Sequence, residues 1–149
     1  DLFELGVKSA ASLAVSALDL NMEVKMITCA EQPRIVEKGR GEVQYHRVMS
    51  ELASVKPVGP TPLRMILEGI AREQGRGGTL HVVSQALHEK DVDVIAHLTH
   101  RGVEPSLILT RPPASAGTAA AVRRMLGLGA RVGLAQVGER GRVAVSWAQ

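Results

Sequence analysis

Apolar residues recur at helical spacing from the first residues of the chain. Leu2, Leu5, Leu13 and Leu20, with Val7, Ala10, Ala11, Ala14, Val15, Ala17 and Leu18, make one broad face. The many alanines let such a helix lie close to a sheet, and Asn21, which tolerates left-handed backbone, ends it. Val24–Cys29 then reads as a core strand with buried character at alternate positions. The polar stretch 31–41 offers a short edge strand at 34–37. Helix returns over 42–54, with Val43, His46, Val48 or Met49, and Leu52 inward.

A Pro/Gly linker, 55–60, leads to Thr61, expected to cap a helix with Pro62 at the first helical position, where a missing N–H costs nothing. Leu63, Ile66, Leu67 and Ile70 form the buried stripe of that helix. Further core strands are expected at Thr79–Ser84, 105–110 and Arg131–Val137. Helices are expected at 88–100, with Val92, Ile95, Ala96 and Leu98 inward, and at 119–128 with Gly129 as cap. Residues 138–141 read as a turn into a last strand at 142–147.

This alternation with short connections predicts one α/β domain over residues 1–149: three layers, a mostly parallel sheet and helices on both faces, joined by right-handed crossovers. One element is out of place. Such a sheet normally opens on a strand, whereas this chain opens on a helix, so the first central strand is expected to be absent from it. Ligands of such sheets sit at the carboxyl ends of the central strands, so the chemistry of that strand would be absent too.

Only Phe3, Tyr45 and Trp147 are aromatic, which leaves a core of aliphatic side chains suited to helices on a parallel sheet. The net charge of +3 is spread along the chain. A nucleic-acid partner would require Arg111, Arg123, Arg124, Arg131, Arg140 and Arg142 to share a face, and a solvated surface is the preferred reading. The lone Cys29 excludes an intramolecular disulfide. No apolar run approaches the roughly 18 residues of a membrane span, so no membrane contact is expected of this segment. A cytoplasmic location is expected, though a longer parent chain could be anchored elsewhere.

Candidate chemistry is sparse. Cys29, at a strand's carboxyl end, could serve as a nucleophile beside a histidine, but no nucleophile-elbow glycines surround it and packing is preferred. His97 and His100 can share a helix face, with His88 or Asp93 nearby, yet solvated histidines are the simpler reading. Gly75-Arg76-Gly77-Gly78 precedes a strand rather than a helix, so it lacks the N-terminus that a phosphate cradle needs. Glu139-Arg140 reads as a turn. No nucleophile, base and orienting group assemble, and no catalytic or cofactor-binding residue is expected.

The segment Phe3-Glu4-Leu5-Gly6-Val7-Lys8-Ser9-Ala10-Ala11-Ser12-Leu13-Ala14, the strand Val24–Cys29, Gly59-Pro60-Thr61-Pro62-Leu63, and Gly78-Thr79-Leu80-His81-Val82-Val83-Ser84 occur in an order that resembles a known family. It is the C-terminal, von Willebrand factor type A-like region of the bacterial family called domain of unknown function fifty-eight, itself uncharacterised. The resemblance implies that the absent central strand would carry an Asp-x-Ser-x-Ser motif for a divalent cation, normally magnesium. Thr61 matches the family's metal-loop threonine, although a helix cap explains it as well. Ser84-Gln85 stands where an Asp is usual. Without carboxylates there is little to offset magnesium dehydration, so no cation is expected without the missing strand. The resemblance further implies a protein-interaction or scaffolding module working with a MoxR-type AAA+ ATPase. Open strand edges at Val24–Cys29 and Thr79–Ser84 would close on each other, be covered by a second copy in a homodimer, or take a strand from upstream. The competing expectation is a small α/β hydrolase or nucleotide binder using Cys29 and the strand-end loops.

Overall fold

A computed structural model describes residues 1–29, 32–57 and 61–148. Helix α1 (Leu2–Asp19) is capped by Asp1, whose carboxylate accepts from the Glu4 N–H at 2.7 Å, and ends at Asn21 with φ of 57°. Strands β1 (Val24–Cys29) and β2 (Pro33–Gly39) follow, then α2 (Gly41–Ser54) and α3 (Leu63–Glu73). The rest alternates: β3 (Thr79–Ser84), α4 (Glu89–His100), β4 (Glu104–Leu109), α5 (Ala116–Gly127), β5 (Arg131–Val137), and β6 (Val143–Trp147) after a 3₁₀ turn at Glu139–Gly141.

The strands form two sheets. Four are ordered β3-β4-β5-β6, with β3, β4 and β5 parallel and β6 antiparallel to β5. The other two, β1 and β2, form an antiparallel pair of their own. The chain is therefore α/β with a mostly parallel main sheet. Val24–Cys29, expected as a core strand, is not hydrogen-bonded into it. Its residues are half-buried or exposed, because β2 is its only strand neighbour among the described residues.

Alternation along each strand sorts side chains to two faces. On one face Val82, Leu107, Leu109 and Val132 pack with Leu67 of α3, Val92 and Ile95 of α4, and Ala121 and Met125 of α5. On the other, Ile108, Ala135, Val83, Val143, Val145 and Trp147 pack with Leu5 and Leu13 of α1. The far side of α1 carries a third cluster: Ala14, Val7, Ala10 and Ala11 meet Val48 and Leu52 of α2 and Val24, Met26 and Val36 of the hairpin. Alanine lets one helix serve both neighbours at close range.

Three expectations need correction. Thr61 is not a helix cap: α3 begins at Leu63, and Pro62, with ψ of 143°, holds the cap position without any side-chain bond. A residue preceding proline is pushed toward extended backbone, which places Thr61 outside the helix. Helix α5 starts three residues before 119, because the Ser115 hydroxyl accepts from the Thr118 N–H at 3.1 Å. The inward face of α2 carries Gln44 and Glu51 with Val48 and Leu52, while Val43 and His46 face solvent. Within the expected linker, residues 58–60 lie outside the described residues.

Candidate functional site

In a parallel sheet the loops beyond the strand carboxyl ends are where ligands bind. Here that end carries Ser84 of β3 and Thr110 just past β4, while the separate strand β1 ends at Thr28 and Cys29. The early turns of α1 lie against it: a β-carbon on Gly6 would stand 3.6 Å from Thr110 Cγ2 and 3.9 Å from Val83 Cγ1.

The groups there are largely consumed locally. The Ser84 hydroxyl donates to the Ala86 carbonyl at 2.7 Å, turning the chain after β3. Thr28 Oγ1 donates to Glu51 Oε1 at 2.9 Å, and Arg34 Nε lies 3.0 Å from the same oxygen. Glu51 thus ties β1, β2 and α2 together from a nearly buried carboxylate. The Thr110 hydroxyl is buried and unpartnered.

Cys29 is exposed, and its thiol donates to the Thr61 carbonyl at 3.8 Å. The surrounding atoms push its pKa up by desolvation. The thiol form is favoured, the opposite of what an activated nucleophile needs. Thr61 therefore meets Cys29 through its main chain. Thr61, Ser84 and Thr28 offer neutral oxygens, and no group of three or more His, Cys, Asp or Glu suited to a metal occurs among the described residues.

The histidines are separated by role. His88 caps α4, with the Asp91 carboxylate accepting from its N–H at 2.8 Å. His97 Nε2 lies 3.2 Å from Arg101 Nη2 on the border of an open hollow of about 500 Å³ between α3 and α4, lined in part by Glu68, Arg72 and Asp93. Arg101 also donates to the Ala71 carbonyl, so it fastens α4 to α3. The arginines weighed for nucleic acid are divided. Arg111 follows the carboxyl end of β4, whereas Arg131 opens its parallel neighbour β5 at the other end, and Arg124 pairs with Asp93 at 2.7 Å.

One grouping was invisible in the sequence. His81, Ser106 and Arg131 sit side by side on β3, β4 and β5, and the Arg131 guanidinium lies 4.0 Å from the centre of the Trp147 ring. Burial, then the charge of Arg131, lowers the His81 pKa. The ring is solvent-exposed by area, yet close enough to packed atoms and this guanidinium to feel both. Ser106 is enclosed, with its hydroxyl unpartnered. Only strand register brings these residues together, and spacing in sequence carries no trace of it.

No helix among the described residues is long and apolar enough to cross a membrane. Compared with known proteins, the chain matches no family model, no curated protein and no solved structure.

Proposed function

We propose that this chain is a protein-interaction module of von Willebrand factor type A architecture, acting as adaptor or scaffold beside a MoxR-type AAA+ ATPase. The observation that carries the reading is the pair of strand edges on β1 and β3, each without a strand neighbour on one side among the described residues. Such edges present rows of main-chain donors and acceptors ready for another chain. The resemblance of Phe3 to Ala14, Val24–Cys29 and the β3 segment to the family described above supports the architecture and supplies the ATPase as partner. Binding through this surface is cation-independent, since Thr28 and Ser84 spend their hydroxyls on Glu51 and Ala86.

The test is calorimetric titration of the chain with a purified, nucleotide-free MoxR-type ATPase from the same source organism, with and without chelator. Saturable binding unchanged by chelator is expected. Absence of binding overturns the ATPase as partner. Stoichiometric binding of magnesium or manganese by the chain alone overturns the cation independence.

A further inference from the structure

We infer that the amino end of the main sheet, on the face that carries α1, binds a single phosphate group, free or as a small monoester, through Arg131, Ser106 and His81.

Strand register brings the three residues together. His81 stands opposite Ser106, and Ser106 opposite Arg131. Val83, Ile108 and Ala135 pack in the cluster on α1. His81, Ser106 and Arg131 precede them on the same strands by an even number of residues, so all three point to that face. Neighbouring strands are about 4.8 Å apart, so the outer two residues start roughly 10 Å from each other with Ser106 between them. Ser106 and Arg131 stand on β4 and β5, which have strands on both sides, away from the open edge of β3.

Each residue supplies a donor. Arg131 is exposed, and its guanidinium lies 4.0 Å from the centre of the Trp147 ring. Gly133 makes room for that ring, since a β-carbon there would stand 2.9 Å from Trp147 Cε3. Stacking occupies one face of the guanidinium and leaves the N–H fork open at its edge, the geometry that grips an oxyanion. Arg131 forms no ion pair with an acidic side chain among the described residues. Ser106 is 4% exposed and its hydroxyl has no partner. A buried hydroxyl left without a bond is costly, and an acceptor brought from outside would complete it. The His81 ring is kept neutral near pH 7 by burial and by the Arg131 charge, and donates through one nitrogen.

This donor set selects among anions. A carboxylate has two oxygens, which the arginine fork alone satisfies. A phosphate group has a third terminal oxygen to turn toward Ser106 and His81. Only one full positive charge faces the group. Glu104, exposed and two residues before Ser106 on the same face, opposes it, so one phosphate fits better than a di- or triphosphate. The hydroxyl is covered, so binding requires the exposed His81 ring to turn aside and close over the bound group.

The test is calorimetric titration of the intact chain at neutral pH and constant ionic strength with inorganic phosphate, glycerol phosphate and acetate. Fluorescence of Trp147, the sole tryptophan, is read in parallel. Saturable binding of a phosphate probe with a change in this fluorescence is expected, and acetate should bind about tenfold more weakly or worse, lacking the third oxygen. Tighter binding of glycerol phosphate identifies a monoester as ligand; tighter binding of inorganic phosphate identifies the free ion. Arg131→Lys keeps the charge and loses the fork, and Ser106→Ala removes the hydroxyl; each should weaken phosphate about tenfold. Ser106→Ala should be at least as stable as the parent to urea, because its hydroxyl has no partner to lose. No saturable binding at millimolar phosphate, acetate binding as tightly as phosphate, or undiminished binding by either variant overturns the inference. A destabilised Ser106→Ala chain overturns it as well, since the hydroxyl would then already be bonded within the fold.

Discussion

Gly133, in the middle of β5, is the most demanding contact in the sheet. A β-carbon there would stand 2.5 Å from Val145 Cγ1 and 2.9 Å from Trp147 Cε3 on neighbouring β6. Both distances are shorter than packed carbons tolerate, so Gly133→Ala must displace two half-buried side chains. Overpacking of this kind costs about 1–3 kcal/mol. For a chain of this length each kcal/mol moves the midpoint roughly 2–4 °C, so a fall of about 2–12 °C is expected. Trp147 is the sole tryptophan and lies at the collision, so its fluorescence reports both urea unfolding and the local displacement. The double variant Gly133→Ala, Val145→Ala removes the nearest colliding atom. It should recover part of the loss relative to the sum of the two single changes, with a coupling of about 0.5 kcal/mol or more. A neutral Gly133→Ala, or strict additivity in the pair, refutes the packing described for β5 and β6.

The helix caps give a paired test. Ser115→Ala should cost about 1 kcal/mol by removing the acceptor for the Thr118 N–H, while Thr61→Ala, outside α3, should stay within about 0.5 kcal/mol in the same urea titration. Equal losses would restore Thr61 as a cap. His81 predicts a pH effect whose sign follows from its lowered pKa, below the ordinary 6.5. The unfolded chain takes up this proton first as pH falls, so stability declines below about pH 6.5 and levels off under the folded pKa. His81→Gln should therefore lose less stability than the parent between pH 7.5 and pH 5.5; equal losses refute the assignment.

Much of the element pattern was legible because burial and periodicity coincide in the second half of the chain. Val92, Ile95 and Leu98 follow helical spacing and all three are buried, as are Ile66 and Leu67 on α3. The left-handed end of α1 at Asn21 and the turn before β6 likewise follow from local residue chemistry. The inward face of α2 was not legible. Gln44 is buried because its amide donates to the Val24 carbonyl at 2.8 Å and the Glu37 carbonyl at 2.9 Å, clamping both hairpin strands. Glu51 is buried because Thr28 and Arg34 come to it. Polar residues recruited by distant partners leave no hydrophobic signal, so the apolar pattern chose Val43 and His46 instead. The row of His81, Ser106 and Arg131 escaped for a related reason, since it exists only through strand register.

Strand β1 shows most directly where composition and burial part. Val24, Met26 and Ile27 give it the content of an interior strand, yet none of the three is fully buried. Composition records what a strand is able to bury, whereas actual burial requires a neighbour on each side. The hairpin is instead held from its ends and faces: Gln44 and Glu51 from α2, the Lys25–Glu73 pair with α3, the Cys29–Thr61 contact with the segment before α3, and alanines of α1 beneath. Those ties hold β1 in place, although β2 is its only strand neighbour among the described residues.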